Sequence, residues 1–71
     1  MQIGQTVRFA QVPPGAFFRC GSCLCFKFAH FFWKDVGVPH NIMNFDLGRT
    51  DFLSVDQPVE FAGYIEDVRG Y

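Results

Sequence analysis

The residues best suited to chemistry are three cysteines in a six-residue run, followed by two histidines further along the chain. The run is CGSCLC, residues 20–25, and the histidines are His30 and His40. Zinc is usually held by four such ligands in a tetrahedron, and a Cys-x-x-Cys turn can supply two of them. The sequence has no second paired ligand motif, and free cysteine is among the residues most often buried in cores. We therefore predict that the chain needs no metal and no cofactor.

Catalytic chemistry is not supported by the same residues. A thioredoxin-like use of Cys20 and Cys23 needs a helix N-terminus to lower the pKa of the first thiol, and no helix is predicted there. Nucleophilic catalysis needs a base positioned beside Ser22 or a cysteine, and two histidines in an irregular stretch do not establish one. A chain of 71 residues also has little room for a pocket that encloses a substrate. We predict that the protein is not an enzyme.

The cysteines lie in a stretch, residues 13–28, that reads as a turn, a strand, a tight reversal and a second strand. A two-residue turn, Gly21-Ser22, would pair Cys20 with Cys23 and force Lys27 inward. A three-residue loop would pair Cys20 with Leu24 and leave Lys27 in solvent. A shift by one residue moves a whole row of side chains to the opposite face, so the two registers are exclusive. We favour the three-residue loop because it buries an all-apolar row, namely Phe18, Cys20, Leu24, Phe26 and Phe28.

Short apolar runs and closely spaced turns continue through the rest of the chain. Turn residues recur at 13–15 (PPG), 46–49 (DLGR) and 56–58 (DQP), and no window has a sustained apolar period of 3.6 residues. This pattern predicts one all-β domain, residues 1–71, with about five or six antiparallel strands in a small SH3-like barrel. An OB-like barrel is the alternative. The predicted core residues are Phe18, Leu24, Phe26, Phe45 and Phe52.

Residues 30–40 form the least regular segment and contain a dense group of aromatic and charged side chains. Such a group cannot all face one core, so the segment is either an irregular exposed loop or a strand end that extends beyond the domain. Aromatic residues are favoured at the centres of protein interfaces. The predicted partner-binding residues are Phe31, Phe32, Trp33, Lys34 and Asp35. Residues 66–71 are polar and predict a C-terminal tail.

Composition and charge limit the kind of partner. The chain has ten phenylalanines and a net charge of −1. A small core cannot bury all of its aromatic side chains, and clustered exposed aromatics usually mark a partner surface. The net charge argues against general nucleic-acid binding. Residues 1–34 contain four of the six Lys and Arg residues and no acid, while all seven acids follow. This separation favours either cross-strand pairing or an oriented encounter with a charged partner.

The sequence also predicts the compartment. Three cysteines, an odd number, fit a reducing environment better than a disulfide framework. No signal peptide is visible, and no apolar run is long enough to span a bilayer. We expect a cytoplasmic protein without a membrane partner.

Three groups of residues follow one another in an order found in known short proteins. They are Phe9-x-x-Val12-Pro13-x-Gly15-x-x-Phe18, then Gly21-x-x-Leu24-x-Phe26-Lys27, then Asn41-x-Met43-x-Phe45-x-x-Gly48. Over residues 9–59 this order resembles small SH3-like barrel proteins of phages and prophages, from which the cysteines and the aromatic residues around Trp33 depart. That group has no common function. The resemblance implies a phage-type setting, in which very small proteins often bind and block a host machine.

These interpretations combine into one predicted function and one alternative. The prediction is a binding module that docks on a host protein or complex in the host cytoplasm and inhibits a defence or replication complex. Self-association through the same aromatic residues is a variant of it. The alternative is a barrel that stacks single-stranded nucleic acid on Phe31, Phe32 and Trp33 beside cationic side chains. The alternative ranks second because the chain lacks a surplus of basic residues.

Overall fold

A computed structural model describes residues 1–35 and 38–68, and it describes the side chains of all of these except residues 31–35 and 38. A 3₁₀ helix, Phe9–Gln11, follows the first strand, and a short α-helix, α1 (Ile65–Val68), follows the last. The six strands are β1 (Thr6–Arg8), β2 (Phe17–Cys20), β3 (Cys23–Asp35), β4 (Val38–Asn44), β5 (Arg49–Asp51) and β6 (Pro58–Gly63).

All six strands belong to one antiparallel sheet with the order β1-β6-β2-β3-β4-β5. Strands β2 to β5 follow one another as a meander, and β6 returns to lie between β1 and β2. The register shifts between Phe17 and Phe18 on β2 and between Lys27 and Phe32 on β3, and such bulges bend a sheet. In the described part of the chain β1 and β5 remain the two edges, so the sheet is open. The prediction of an all-β antiparallel domain is confirmed.

The core covers one face of this sheet. On β6, Val59 and Phe61 are buried while Pro58 and Glu60 are exposed, which is the alternation of a strand with one face on the core. The 3₁₀ helix and the residues after it close over the same face. Burial of each large apolar side chain contributes about 1.5–3 kcal/mol. The buried cluster consists of Val7, Phe9, Val12, Ala16, Phe18, Cys25, Ile42, Val59 and Phe61.

The central hairpin has a different register from the one that we favoured. Gly21-Ser22 is a two-residue turn, and Cys20 lies opposite Cys23, so the three-residue loop is wrong. Gly21 has a φ of +62°, which suits the first central position of a type II′ turn, where glycine is preferred. The turn therefore matches the place of the glycine in the loop better than the alternative did.

The adopted register turns Lys27 toward the core, and the lysine is accommodated there by hydrogen bonds. Its Nζ donates to the carbonyl oxygen of Phe9 at 3.0 Å and to that of Val12 at 2.8 Å. The same atom lies 4.5 Å from the centre of the Phe9 ring. Partial burial of an unpaired ammonium would be costly, and these contacts remove much of that cost. The expectation that Lys27 must face solvent is therefore wrong.

The register also changes which aromatic side chains fill the core. Phe18 is fully buried, as predicted. Leu24 and Phe26 lie on the opposite face of the hairpin and are only half-buried. Phe45 and Phe52 are 47% and 50% exposed. The prediction of these last four as core residues is wrong, and the phenylalanines that join Phe18 in the buried cluster are Phe9 and Phe61.

The aromatic segment at residues 30–40 is extended where the structure describes its backbone. Strand β3 continues to Asp35, and β4 begins at Val38. Phe32 lies opposite His40 and Trp33 opposite Pro39. Of the two descriptions that the sequence allowed, the described backbone has the extended strand and not the irregular loop.

The chain after β6 contains a short helix, which the sequence does not predict. Residues Ile65–Val68 form α1. The carboxylate of Asp67 accepts a hydrogen bond from the backbone N–H of Tyr64 at 2.8 Å. One helical turn is too short to produce a periodic apolar pattern, so no such pattern in the sequence predicts this helix.

Candidate partner-binding surface

A row of aromatic side chains occupies the face of the sheet opposite the core. We call Phe17, Phe26, Phe28 and Phe45 the outer aromatic face. Phe17 lies opposite Phe26 across the β2–β3 pair, and Phe28 follows two residues later on the same face. The Gly21-Ser22 turn thus creates the outer aromatic face, because it sends Phe26 and Phe28 away from the core.

The rings of the outer aromatic face form a continuous row in which each ring contacts the next. Phe17 and Phe26 meet edge to face with their centroids 5.1 Å apart, and Phe26 meets Phe28 in the same way at 5.8 Å. Phe45 stacks on Phe17 at 5.9 Å. These are favoured geometries for aromatic pairs, each worth about 0.5–1.5 kcal/mol beyond the area that it buries. Packing holds the rings in fixed positions while Phe45 remains about half exposed.

The five residues that the sequence predicted to bind a partner lie further along the same strand. The backbone of Phe31–Asp35 continues β3 beyond Phe28. Their side chains lie outside the described residues, so their role as a binding patch stays a prediction. The strand itself makes the outer aromatic face and the predicted patch neighbours along one element.

Arg19 adds a positive charge to this side of the sheet. It lies opposite Leu24 on β3 and two residues from Phe17, which places it on the same face as the aromatic rings. Its other strand neighbour is Glu60 of β6. A guanidinium beside aromatic rings is a common combination at protein interfaces and at sites where bases stack.

The three cysteine thiols of residues 20–25 are divided between the core and its margin. Cys25 is buried, whereas Cys20 and Cys23 are partly buried at the turn. Burial raises the pKa of the Cys25 thiol from its ordinary value of 9.0 to about 12, and the neighbouring thiols add to the effect. A thiol in this state is a poor nucleophile, because the thiolate is the reactive form.

The two histidines differ in their exposure and in their contacts. His30 is exposed, and the Nδ1 atom of His40 lies 2.8 Å from the hydroxyl of Thr50. Among the side chains that the structure describes, no three of His, Cys, Asp or Glu come together in an arrangement that could hold a metal ion. The structure therefore does not assemble the ligand set that the sequence offered.

A groove beside Lys27 is, after the outer aromatic face, the second feature that the sequence did not indicate. It has a volume of about 500 Å³ and is bordered by Phe9, Phe28 and Phe52. Burial lowers the pKa of the Lys27 ammonium below its ordinary value of 10.5. The position of Gly21 in the loop was the one sequence signal that could have revealed both the groove and the outer aromatic face.

Comparison with known proteins gave no match: no family model, no curated protein and no solved structure is significantly similar to this chain. The helices of the described segments include none with the length and apolar character needed to cross a membrane. The resemblance to phage barrel proteins therefore rests only on the sequence groups given above.

Proposed function

We propose that this chain is a non-enzymatic, phage-type binding module with an SH3-like barrel fold, which docks on a host protein in the host cytoplasm and inhibits a defence or replication complex. The phage setting comes from the sequence resemblance. The mode of action, binding without catalysis, is supported by the properties of the outer aromatic face.

The observation that carries this proposal is a packed set of aromatic rings on the face of the sheet opposite the core, in which Phe17 is buried at 7% exposure, Phe26 and Phe28 are half-buried and Phe45 is exposed. Phe45 is 47% exposed although it stacks on Phe17. Ordered aromatic side chains lose little conformational entropy when a partner covers them, which is one reason why interface hot spots are rich in them. Continuity along β3 with Phe31–Asp35 extends the proposed interface toward Trp33.

Binding of single-stranded nucleic acid is the second candidate, and the place of Arg19 favours it. The guanidinium lies on the same face as the rings, so a phosphate could contact it while bases stack. The net charge of −1 weighs against this candidate, because phosphate contacts supply most of the affinity of such proteins.

The test uses tagged protein as bait in lysates of a bacterial host, with and without nuclease. A recovered protein is then purified, and its affinity for the wild type and three variants is measured. Phe45→Ala and Trp33→Ala each remove one aromatic side chain of the proposed interface. Ile65→Ala is the matched control, because Ile65 is 57% exposed on α1. Far-UV circular dichroism checks that each variant folds.

We expect a stoichiometric host protein that persists after nuclease treatment. Phe45→Ala and Trp33→Ala should each weaken its binding by about tenfold or more, as loss of a hot-spot side chain does, while Ile65→Ala should not. A partner that disappears with nuclease, together with oligonucleotide affinity that falls steeply with salt, would favour the nucleic-acid candidate. Equal binding by all three variants would refute the proposed interface.

A further inference from the structure

The groove beside Lys27 has the size and lining of a small-molecule site. Its volume of about 500 Å³ is within the range of about 300–1,000 Å³ that is typical of ligand pockets. Apolar walls come from Phe28 and Pro39 on the β3–β4 hairpin and from Phe52 and Val55 on the connection between β5 and β6. A ligand with an apolar body would remove these walls from water.

One wall of the groove carries a fixed positive charge. Lys27 borders the groove, and its Nζ is held by the carbonyl oxygens of Phe9 and Val12. An ammonium has three N–H donors, so these two bonds leave one donor for a further acceptor. The two carbonyls fix the position of the charge before any ligand arrives, which reduces the entropy that binding would otherwise cost.

The charge has no acidic neighbour in the described part of the groove. None of the described residues that border it is Asp or Glu, and the one ion pair among the described side chains joins Arg49 to Asp51 elsewhere. A partly desolvated ammonium attracts an anion more strongly than one in bulk water does. The groove is therefore electrostatically suited to an anionic group at one end and an apolar body along its length.

We propose that this groove binds a small carboxylate that carries an apolar chain or ring, with the carboxylate on the Lys27 ammonium and the apolar part between Phe28 and Phe52. A single ammonium with one available donor matches a group with one negative charge. The site is separate from the protein-docking function proposed above, although Phe28 borders both.

The experiment uses decanoate as the probe and decanol as its uncharged counterpart, below the concentration at which decanoate forms micelles. Binding is followed on the wild-type protein by two-dimensional amide NMR. Three variants are compared: Lys27→Met removes the charge, Phe52→Ala shortens an apolar wall, and Ile3→Ala is an exposed control outside the groove. Phe52 and Ile3 are 50% and 61% exposed, so neither substitution should disturb the core.

We expect decanoate to bind the wild type about tenfold or more tightly than decanol, with shifts concentrated around Phe28 and Phe52. Lys27→Met should weaken decanoate binding by about ten- to a hundredfold, the effect of one hydrogen bond to a charged group, and change decanol binding far less, because the alcohol carries no charge. Phe52→Ala should weaken both probes, and Ile3→Ala neither.

Two results on the wild-type chain would each overturn the proposal: equal binding of decanoate and decanol, or decanoate shifts that lie outside the groove. Both readouts use the wild-type chain, so they remain decisive if Lys27→Met does not fold. A folded Lys27→Met variant that binds decanoate as well as the wild type does would also overturn it. Failure of this test leaves the protein-docking proposal unaffected, since that proposal is measured with a different ligand and different variants.

Discussion

Replacing Lys27 with methionine tests the least expected feature of the fold, a lysine directed toward the core. Methionine keeps the length and apolar stem of the side chain but cannot donate the hydrogen bonds to Phe9 and Val12, which are 3.0 and 2.8 Å long. Hydrogen bonds to charged groups contribute about 1.5–3 kcal/mol each. Two such bonds set an upper limit of about 6 kcal/mol.

The net effect should be smaller than that limit. Removing the ammonium also removes the cost of its partial desolvation, which is the reason that its pKa is lowered. Water can reach part of the site and replace one of the lost donors. We expect Lys27→Met to lower the free energy of unfolding by about 2 kcal/mol, which for a domain of this size lowers the melting temperature by roughly 8–16 °C.

Thermal and urea unfolding, followed by far-UV circular dichroism, measure this loss. Arg49→Met is the matched control, because it removes a cation whose ion pair with Asp51 is 4.0 Å long and largely exposed. Exposed pairs of this kind contribute about 0–1 kcal/mol. If Lys27→Met is as stable as Arg49→Met, Lys27 lies in solvent and the hairpin has the three-residue loop after all.

Three further predictions follow from the same structure. Phe18→Ala should cost about 3–5 kcal/mol and Phe26→Ala only about 1–2 kcal/mol in urea unfolding, because Phe18 is fully buried and Phe26 half-buried; the opposite order would support the other register. Between pH 8 and 10 the wild type should lose about 1.4 kcal/mol of unfolding free energy relative to Cys25→Ala, because a buried thiol with a pKa of about 12 stays protonated while the unfolded chain ionises near 9.0. Parallel pH profiles of the two proteins would refute this. Elemental analysis of protein purified without added metal should find well under about one zinc per chain, since zinc needs four converging ligands, and stoichiometric zinc would restore the cysteines as ligands.

The candidate surface shows which features of side-chain exposure the sequence could predict and which it could not. The surplus of aromatic residues predicted exposed rings, and exposed rings are present, but at positions that were assigned to the core. Phe45 is the plainest case, with 47% of its surface exposed where the sequence predicts a core residue. Alternation indicates that two rows of side chains face opposite ways, and it does not indicate which row faces the core when both rows are rich in aromatic residues.

The sequence by itself determined the strand character of this chain and most of its turns. Alternation at Val59 and Phe61 and the glycine turns are local properties, and local properties can be read from neighbouring residues. Tertiary structure decided the register of the central hairpin. Lys27 can face inward because carbonyl oxygens 18 and 15 residues earlier in the chain, those of Phe9 and Val12, receive its hydrogen bonds. Acceptors so distant in sequence come within reach of the ammonium only after the chain has folded, so no local pattern could have predicted them.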